Sequence, residues 1–251
     1  MSIALITGAT SGFGEAIARR FAAEGYHLII TGRRADRLET LKSELQLEPG
    51  VEVLCLHFDV QQLEEVNAAI SSLEAKWRQI DVLVNNAGLA LGRDLFEDAS
   101  LDDWSTMIDT NLKGLLYVSK AVVPLMIARK QGHVINMGSI AGKEAYERGN
   151  VYCASKAAVD SLSRGMRIDL LKHHIKVTAI HPGAAETEFS LVRFKGNPEA
   201  ASKVYEGYKP LSAVDVANIV WFTASLPPHV CINDLVVTPT QQANSFLINR
   251  E

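Results

Sequence analysis

Seven short, nearly continuous apolar runs set the strongest limit on how this chain can fold. They are IALIT (3–7), HLIIT (27–31), EVLCLHF (52–58), VLVN (82–85), HVINM (133–137), KVTAIH (176–181) and DLVVT (234–238). Runs that are apolar at successive positions suit strands covered on both faces, as in a parallel sheet. The stretches between them are longer and amphipathic. After Gly14, for example, Ile17 and Phe21 repeat at four with Ala18 and Ala22 beside them, while Glu15, Arg19, Arg20 and Glu24 point the other way. Strand–helix alternation of this kind predicts an α/β fold, a doubly wound parallel sheet of about seven strands with helices on both faces. No linker, repeat or low-complexity segment interrupts it, so residues 1–251 read as one domain. One irregular stretch, about 182–210, is longer than an ordinary loop and follows a strand, which places it at the ligand-binding edge of the sheet.

Composition narrows the function classes. The 251 residues are 47% hydrophobic and 22% charged with a formal charge of -4, and no basic stripe suggests nucleic-acid binding. Three scattered cysteines, Cys55, Cys153 and Cys231, fit reduced thiols, and no cysteine or histidine spacing resembles a metal site. The chain enters a strand pattern at once, with no signal-peptide pattern, and no apolar run approaches a membrane span. A soluble cytoplasmic protein is the simplest expectation.

The first strand meets the first helix through TGATSGFG, with Gly8, Gly12 and Gly14. Glycines there let backbone N–H groups approach a phosphate, and the helix N-terminus adds partial positive charge. The spacing is a variant of the dinucleotide fingerprint. An NAD-type site would place a carboxylate at the end of the second strand, but Arg33 and Arg34 stand there. Two guanidiniums suit a 2′-phosphate and so favour NADP. Further on, Tyr152 and Lys156 sit four apart in a helical run and share a face. Asn111 lies within another helical run, Ser139 follows the fifth strand, NNAG (85–88) ends the fourth, and Asp59 follows the third.

Taken together, TGATSGFG, NNAG, Asn111, Ser139, YCASK and HPG resemble, in order and spacing, the short-chain dehydrogenase/reductase family across nearly the whole chain. The resemblance implies a Rossmann-type fold, NADP as cofactor and Asn111, Ser139, Tyr152 and Lys156 as the catalytic set. It places the cofactor along Gly8, Thr10, Ser11, Gly12, Phe13, Gly14, Arg33, Arg34, Asp59, Val60, Asn86, Ala87, Gly88, Tyr152, Lys156, Pro182, Gly183 and Thr187. In that family Tyr152 would exchange the proton, Ser139 would bond the carbonyl oxygen, Lys156 would hold the ribose, and Asn111 would hold a water leading to solvent. No metal is required. An ammonium about 5 Å from the phenol, at an effective dielectric of about 20, favours the phenolate by roughly 3 kcal/mol, or about two pKa units. NNAGLALG, MIDTN, RGNVY and VRFKG are similar to a narrower group, the NADP-dependent 3-hydroxy acid dehydrogenases that act as malonic semialdehyde reductases, and the related sulfoacetaldehyde reductases.

These features predict a reductase of short aldehydes bearing an acid group, the reverse reaction being a 3-hydroxy acid oxidation. The substrate residues would be Ser139, Tyr152 and two candidate anion partners, Arg148 and Arg193, with Lys195 a weaker third. Extra charge at Lys143, Glu144 and Arg148 leaves room for a sulfonate beside a carboxylate. Two alternatives are a reductase of uncharged ketones or keto-lipids and a non-catalytic dinucleotide-binding protein on the same fold. The resemblance also implies a homodimer or homotetramer.

Overall fold

The structure, a computed structural model, describes residues 2–251. One sheet runs through it in the order β3-β2-β1-β4-β5-β6-β7. The strands are β1 (Ile3–Ile6), β2 (His27–Gly32), β3 (Val53–His57), β4 (Ile80–Asn85), β5 (Gly132–Met137), β6 (Ile175–Pro182) and β7 (Asp234–Val237). Every pairing is parallel. The helices are α1 (Gly12–Ala23), α2 (Ala35–Leu45), α3 (Leu63–Ser71), α4 (Leu101–Ile108), α5 (Leu115–Arg129), α6 (Asn150–Leu170), α7 (Glu188–Arg193), α8 (Pro198–Lys203) and α9 (Ala213–Ala224).

The continuous apolar runs have a simple cause. Alternate residues of each strand enter cores on opposite faces. Ala4, Ile6, Leu28 and Ile30 pack with Ile17, Phe21, Leu38 and Val220, the face covered by α1, α2 and α9. Ile3, Leu5 and Ile29 pack on the other face with Val66, Ile70, Val118, Val122 and Met126, from α3 and α5. Both faces of the central strands are therefore covered, which removes the polar alternation of a half-exposed strand. Strand order reverses between β1 and β4, which opens a crevice at their carboxyl ends.

Two expectations change here. Residues 182–210 are not irregular: they carry the two six-residue helices α7 and α8. Each has its own cap, Thr187 accepting from the Phe189 N–H and Asn197 from the Ala200 N–H. Helices this short present too few turns for a periodic pattern to show. The helical run Leu101–Arg129 is also long and apolar enough to span a bilayer by length and composition, with mean hydropathy 1.2. A π-helical turn, Asp109–Gly114, joins α4 to α5 within it. In this fold it packs along α3 and β4 and buries Asn111, as a core helix does.

Candidate active site

The crevice at the carboxyl edge holds a cavity of about 810 Å³. Its walls run from Arg33 and Arg34 past the glycine loop to Asn86–Gly88, then to Ser139, Tyr152 and Lys156, and end under α7 and α8. Asp59, Val60, Pro182, Gly183 and Thr187 line it as well. That length and composition fit an extended dinucleotide, with cations at one end and proton-bearing groups at the other.

The glycine loop has no room for side chains. Gly8 has φ +66°, and a Cβ there would lie 2.9 Å from the Ala87 Cα. A Cβ on Gly14 would meet the Gly8 carbonyl at 2.3 Å. NNAG holds this geometry: the Asn86 amide donates to the Thr7 and Gly8 carbonyls at 2.9 and 3.2 Å, and the Asn86 and Ala87 N–H groups both donate to Thr7 Oγ1. Arg34 reaches back from β2 and donates to Thr10 Oγ1, the Thr10 carbonyl and Ser11 Oγ at 2.9–3.2 Å. Arg33 is open to solvent, its nearest acid being Asp59 at 3.5 Å.

The four expected catalytic residues come together from separate elements. Tyr152 and Lys156 lie one turn apart on α6 and are buried. Ser139 N-caps the single turn Ile140–Gly142 after β5, its hydroxyl accepting from the Ala141 N–H at 3.2 Å. Asn111 sits in the π-helical turn, where its carboxamide pairs with both backbone groups of Leu89 at 2.8 Å and donates to Ser155 Oγ at 3.0 Å. Gly88 lies where these groups converge, since a Cβ on it would be 3.2 Å from Asn111 Oδ1 and 3.4 Å from Lys156 Nζ.

The electrostatics depart from the simple expectation for the phenol. Burial pushes Tyr152 up to about 12, Tyr146 adds to this, and Arg193 and the Ser139 hydroxyl pull it down. Lys156 is not the cation that acts most on it. Its ammonium turns toward the sheet and donates to the Met137 carbonyl at 2.8 Å, and burial lowers its pKa to about 8. The cation facing the phenol ring is Arg193, with its guanidinium carbon 4.8 Å from the ring centroid.

Of the candidate anion partners, only Arg193 lines the cavity. It stacks between Tyr152 and Phe189 and donates to the Tyr146 hydroxyl at 2.6 Å. Arg148 does not line this cavity: it occupies a left-handed turn (φ 64°), is exposed, and lines a second crevice with Asp94, Asp103 and Trp104, which Tyr152 and Arg193 also border. Lys195 is engaged by Asp103 at 2.8 Å. Several lining residues were missed from the sequence, among them Tyr146, Glu188 and Phe189, and Gln242, Phe246 and Arg250 from the C-terminal segment. Tyr146 alone offered a signal, as an aromatic residue close to Tyr152 in the same loop-to-helix stretch. The fold also gathers Asp160, His181 and Asp234, dispersed in sequence, so that their ligand-type atoms lie within 4.8 Å of one another. No spacing in the sequence points to this grouping.

The short chain dehydrogenase family model matches residues 2–197. The chain belongs to the short-chain dehydrogenase family. This short-chain dehydrogenase is 50% identical to the NADP-dependent 3-hydroxy acid dehydrogenase YdfG of Salmonella typhi, over 96% of each chain. It is 47% identical to sulfoacetaldehyde reductase 2 of Chromohalobacter salexigens, over 99% of each. Among solved structures, the closed form of a serine dehydrogenase complexed with NADP+ superposes with a TM-score of 0.92 at 47% identity, covering 99% of this chain and 100% of that one.

Proposed function

We propose that this short-chain dehydrogenase reduces short aldehydes carrying an acid group, sulfoacetaldehyde to isethionate or malonic semialdehyde to 3-hydroxypropionate, and runs the reverse oxidation of 3-hydroxy acids. It is an oxidoreductase of CH–OH and carbonyl groups that uses NADP. The observation that carries the substrate class is Arg193, a guanidinium held against the catalytic phenol among the aromatic rings of Tyr146, Tyr152 and Phe189. A buried substrate anion needs such a partner. The relatives named for 3-hydroxy acids, sulfoacetaldehyde and serine support the reading, because each of those compounds has an acid group near its hydroxyl or carbonyl carbon.

The glycine loop, Arg33, Arg34, Asp59, Val60, Asn86–Gly88 and Pro182–Thr187 would hold the dinucleotide, with Tyr152 and Lys156 at its reactive end. Bound NADPH supplies the hydride. Ser139 Oγ, already accepting from the Ala141 N–H, keeps its own proton free to donate to the substrate oxygen. Tyr152, whose phenol is raised by burial and so holds its proton, gives that proton to the oxygen. Arg193 orients the acid group so that the carbonyl lies against these two hydroxyls.

A steady-state panel tests the proposal, with NADPH and NADH against sulfoacetaldehyde, malonic semialdehyde, succinic semialdehyde and uncharged aldehydes of equal length. Arg193→Ala is expected to raise KM for the acidic aldehydes about 10-fold or more, the size of a lost charged hydrogen bond of about 1.5–3 kcal/mol. Neutral aldehydes should change little. Equal preference for acidic and neutral aldehydes in both enzymes would remove the acid group from the assignment.

A further inference from the structure

We propose that Lys143 is a positioning residue, strapping the Ser139 turn to α6 and β7 so that the serine hydroxyl meets the substrate at a fixed place. The inference rests on the reading of Ser139 as the carbonyl-binding hydroxyl. The turn that carries Ser139 is minimal: Gly142 N–H donates to the Ser139 carbonyl and Lys143 N–H to the Ile140 carbonyl, both at 2.9 Å. Lys143 is therefore the first residue beyond the turn with a side chain long enough to anchor it elsewhere. Its ammonium donates to Asp234 Oδ2 at 2.5 Å and forms an ion pair with Asp160 Oδ1 at 3.1 Å, without the geometry of a hydrogen bond. Asp160 stands one helical turn after Lys156, so the strap fixes the serine turn to the same rigid helix that carries Tyr152 and Lys156. Asp234 opens β7, beside β6. Asp160 is buried and bonded on its other oxygen by Arg164 at 3.1 Å, which gives the strap a firm post.

His181 is the floor beneath the turn. It is fully buried, its Nδ1 lies 3.3 Å from the Ser139 carbonyl, and a Cβ on Gly138 would strike its ring at 2.4 Å. Its Nε2 faces Asp160 and Asp234, each at 3.7 Å, too far for a hydrogen bond. Burial, and then Lys143, lower its pKa and favour the neutral ring. Two carboxylates are thus balanced by Lys143 and Arg164. The spacing of Asp160, His181 and Asp234 could span a metal ion, but the Lys143 ammonium already stands against both carboxylates. Position matters here because a misplacement of about 1 Å at a reacting group can cost about 10²-fold in rate.

The test is a double-mutant cycle on the full-length enzyme, reading kcat by steady state and the NADPH Kd by fluorescence titration. Lys143→Met keeps length and removes the charge. The expected result is a fall in kcat of about 10-fold or more with the NADPH Kd within about 2-fold of wild type, and substantial recovery in Lys143→Arg. In the Ser139→Ala background the same change should cost less than about 2-fold, because the group it positions is gone. An equal loss in both backgrounds, an unchanged kcat, or a parallel loss of NADPH affinity would each overturn the proposal. Ser139→Ala with undiminished kcat would overturn the reading of that hydroxyl, and the proposal with it. Should Lys143→Met fail to fold, Lys143→Met combined with Asp234→Asn removes one charge of each sign and permits the same comparison.

Discussion

Tyr152 and Lys156 are one turn apart, yet burial drives their pKa values in opposite directions, to about 12 and about 8. Tyr152→Phe keeps the ring and deletes the proton, so turnover should fall at least about 10²-fold while NADPH titration shows binding largely kept. Lys156 gives a pH signature. If its charge is needed, kcat/KM for reduction should fall as pH rises through about 8, the value for the folded enzyme. Stability should respond in the other direction. Between about 8 and the ordinary 10.5, the unfolded lysine holds a proton that the folded one has lost, so this residue's contribution to stability rises with pH. A rate profile and a denaturation series over that range separate the two effects, and a flat rate profile would show the charge to be dispensable. The pair was legible in the sequence because an i,i+4 spacing fixes a shared face whatever the rest of the fold does. The proposed partner of the substrate anion was not. Arg148 and Arg193 look alike as letters, and only the left-handed turn at the first and the aromatic stack at the second decide between them.

At the scale of elements, α7 is tied to the cofactor end of the cleft through its first residue. Glu188 pairs with Arg37 at 2.7 Å and Arg34 at 3.2 Å, and these bonds, Arg37 first, lower its pKa. Arg34 therefore braces the glycine loop, engages α7 and faces the place where a 2′-phosphate would lie, whereas Arg33 has no such structural duties. Arg33→Ala should weaken NADPH selectively, while Arg34→Ala should weaken NADPH more than NADH yet damage both. Glu188→Gln removes a competing anion, and a gain of about 2- to 5-fold in NADPH affinity matches the usual worth of an exposed ion pair. Titration of both cofactors at low and high salt checks all three, and equal losses in Arg33→Ala would make that arginine structural. The strands were legible because burial on both faces keeps their letters mostly apolar, with polar exceptions such as Asn85, His133, Asn136 and Thr178 buried as well. The clasp was hidden because Glu188 and Arg34 are 154 positions apart and meet only when β2 and the segment after β6 share one sheet edge.

At the scale of the whole molecule, α5 is the anomaly. A helix laid on one face of a sheet should be polar on its outer side. In LLYVSKAVVPLMIAR only Lys120 and Arg129 are charged, and Leu116, 39% exposed, lies on the outward side with Lys120 and Pro124. The inner side fills the core through Val118, Val122 and Met126, and Tyr117, Ala121, Val123, Leu125 and Ile127 pack partly against it, which leaves Leu116 as the exposed large apolar side chain of this helix. Packing against a second copy would bury Leu116, which agrees with the homodimer or homotetramer that the family resemblance implies. Leu116→Glu is therefore expected to shift sedimentation toward monomer and to make the thermal midpoint depend more steeply on protein concentration. No residue of α5 lines the cavity, so monomers that form should keep NADPH binding. A wild-type protein that sediments as a monomer at micromolar concentration would leave that apolar face without this purpose.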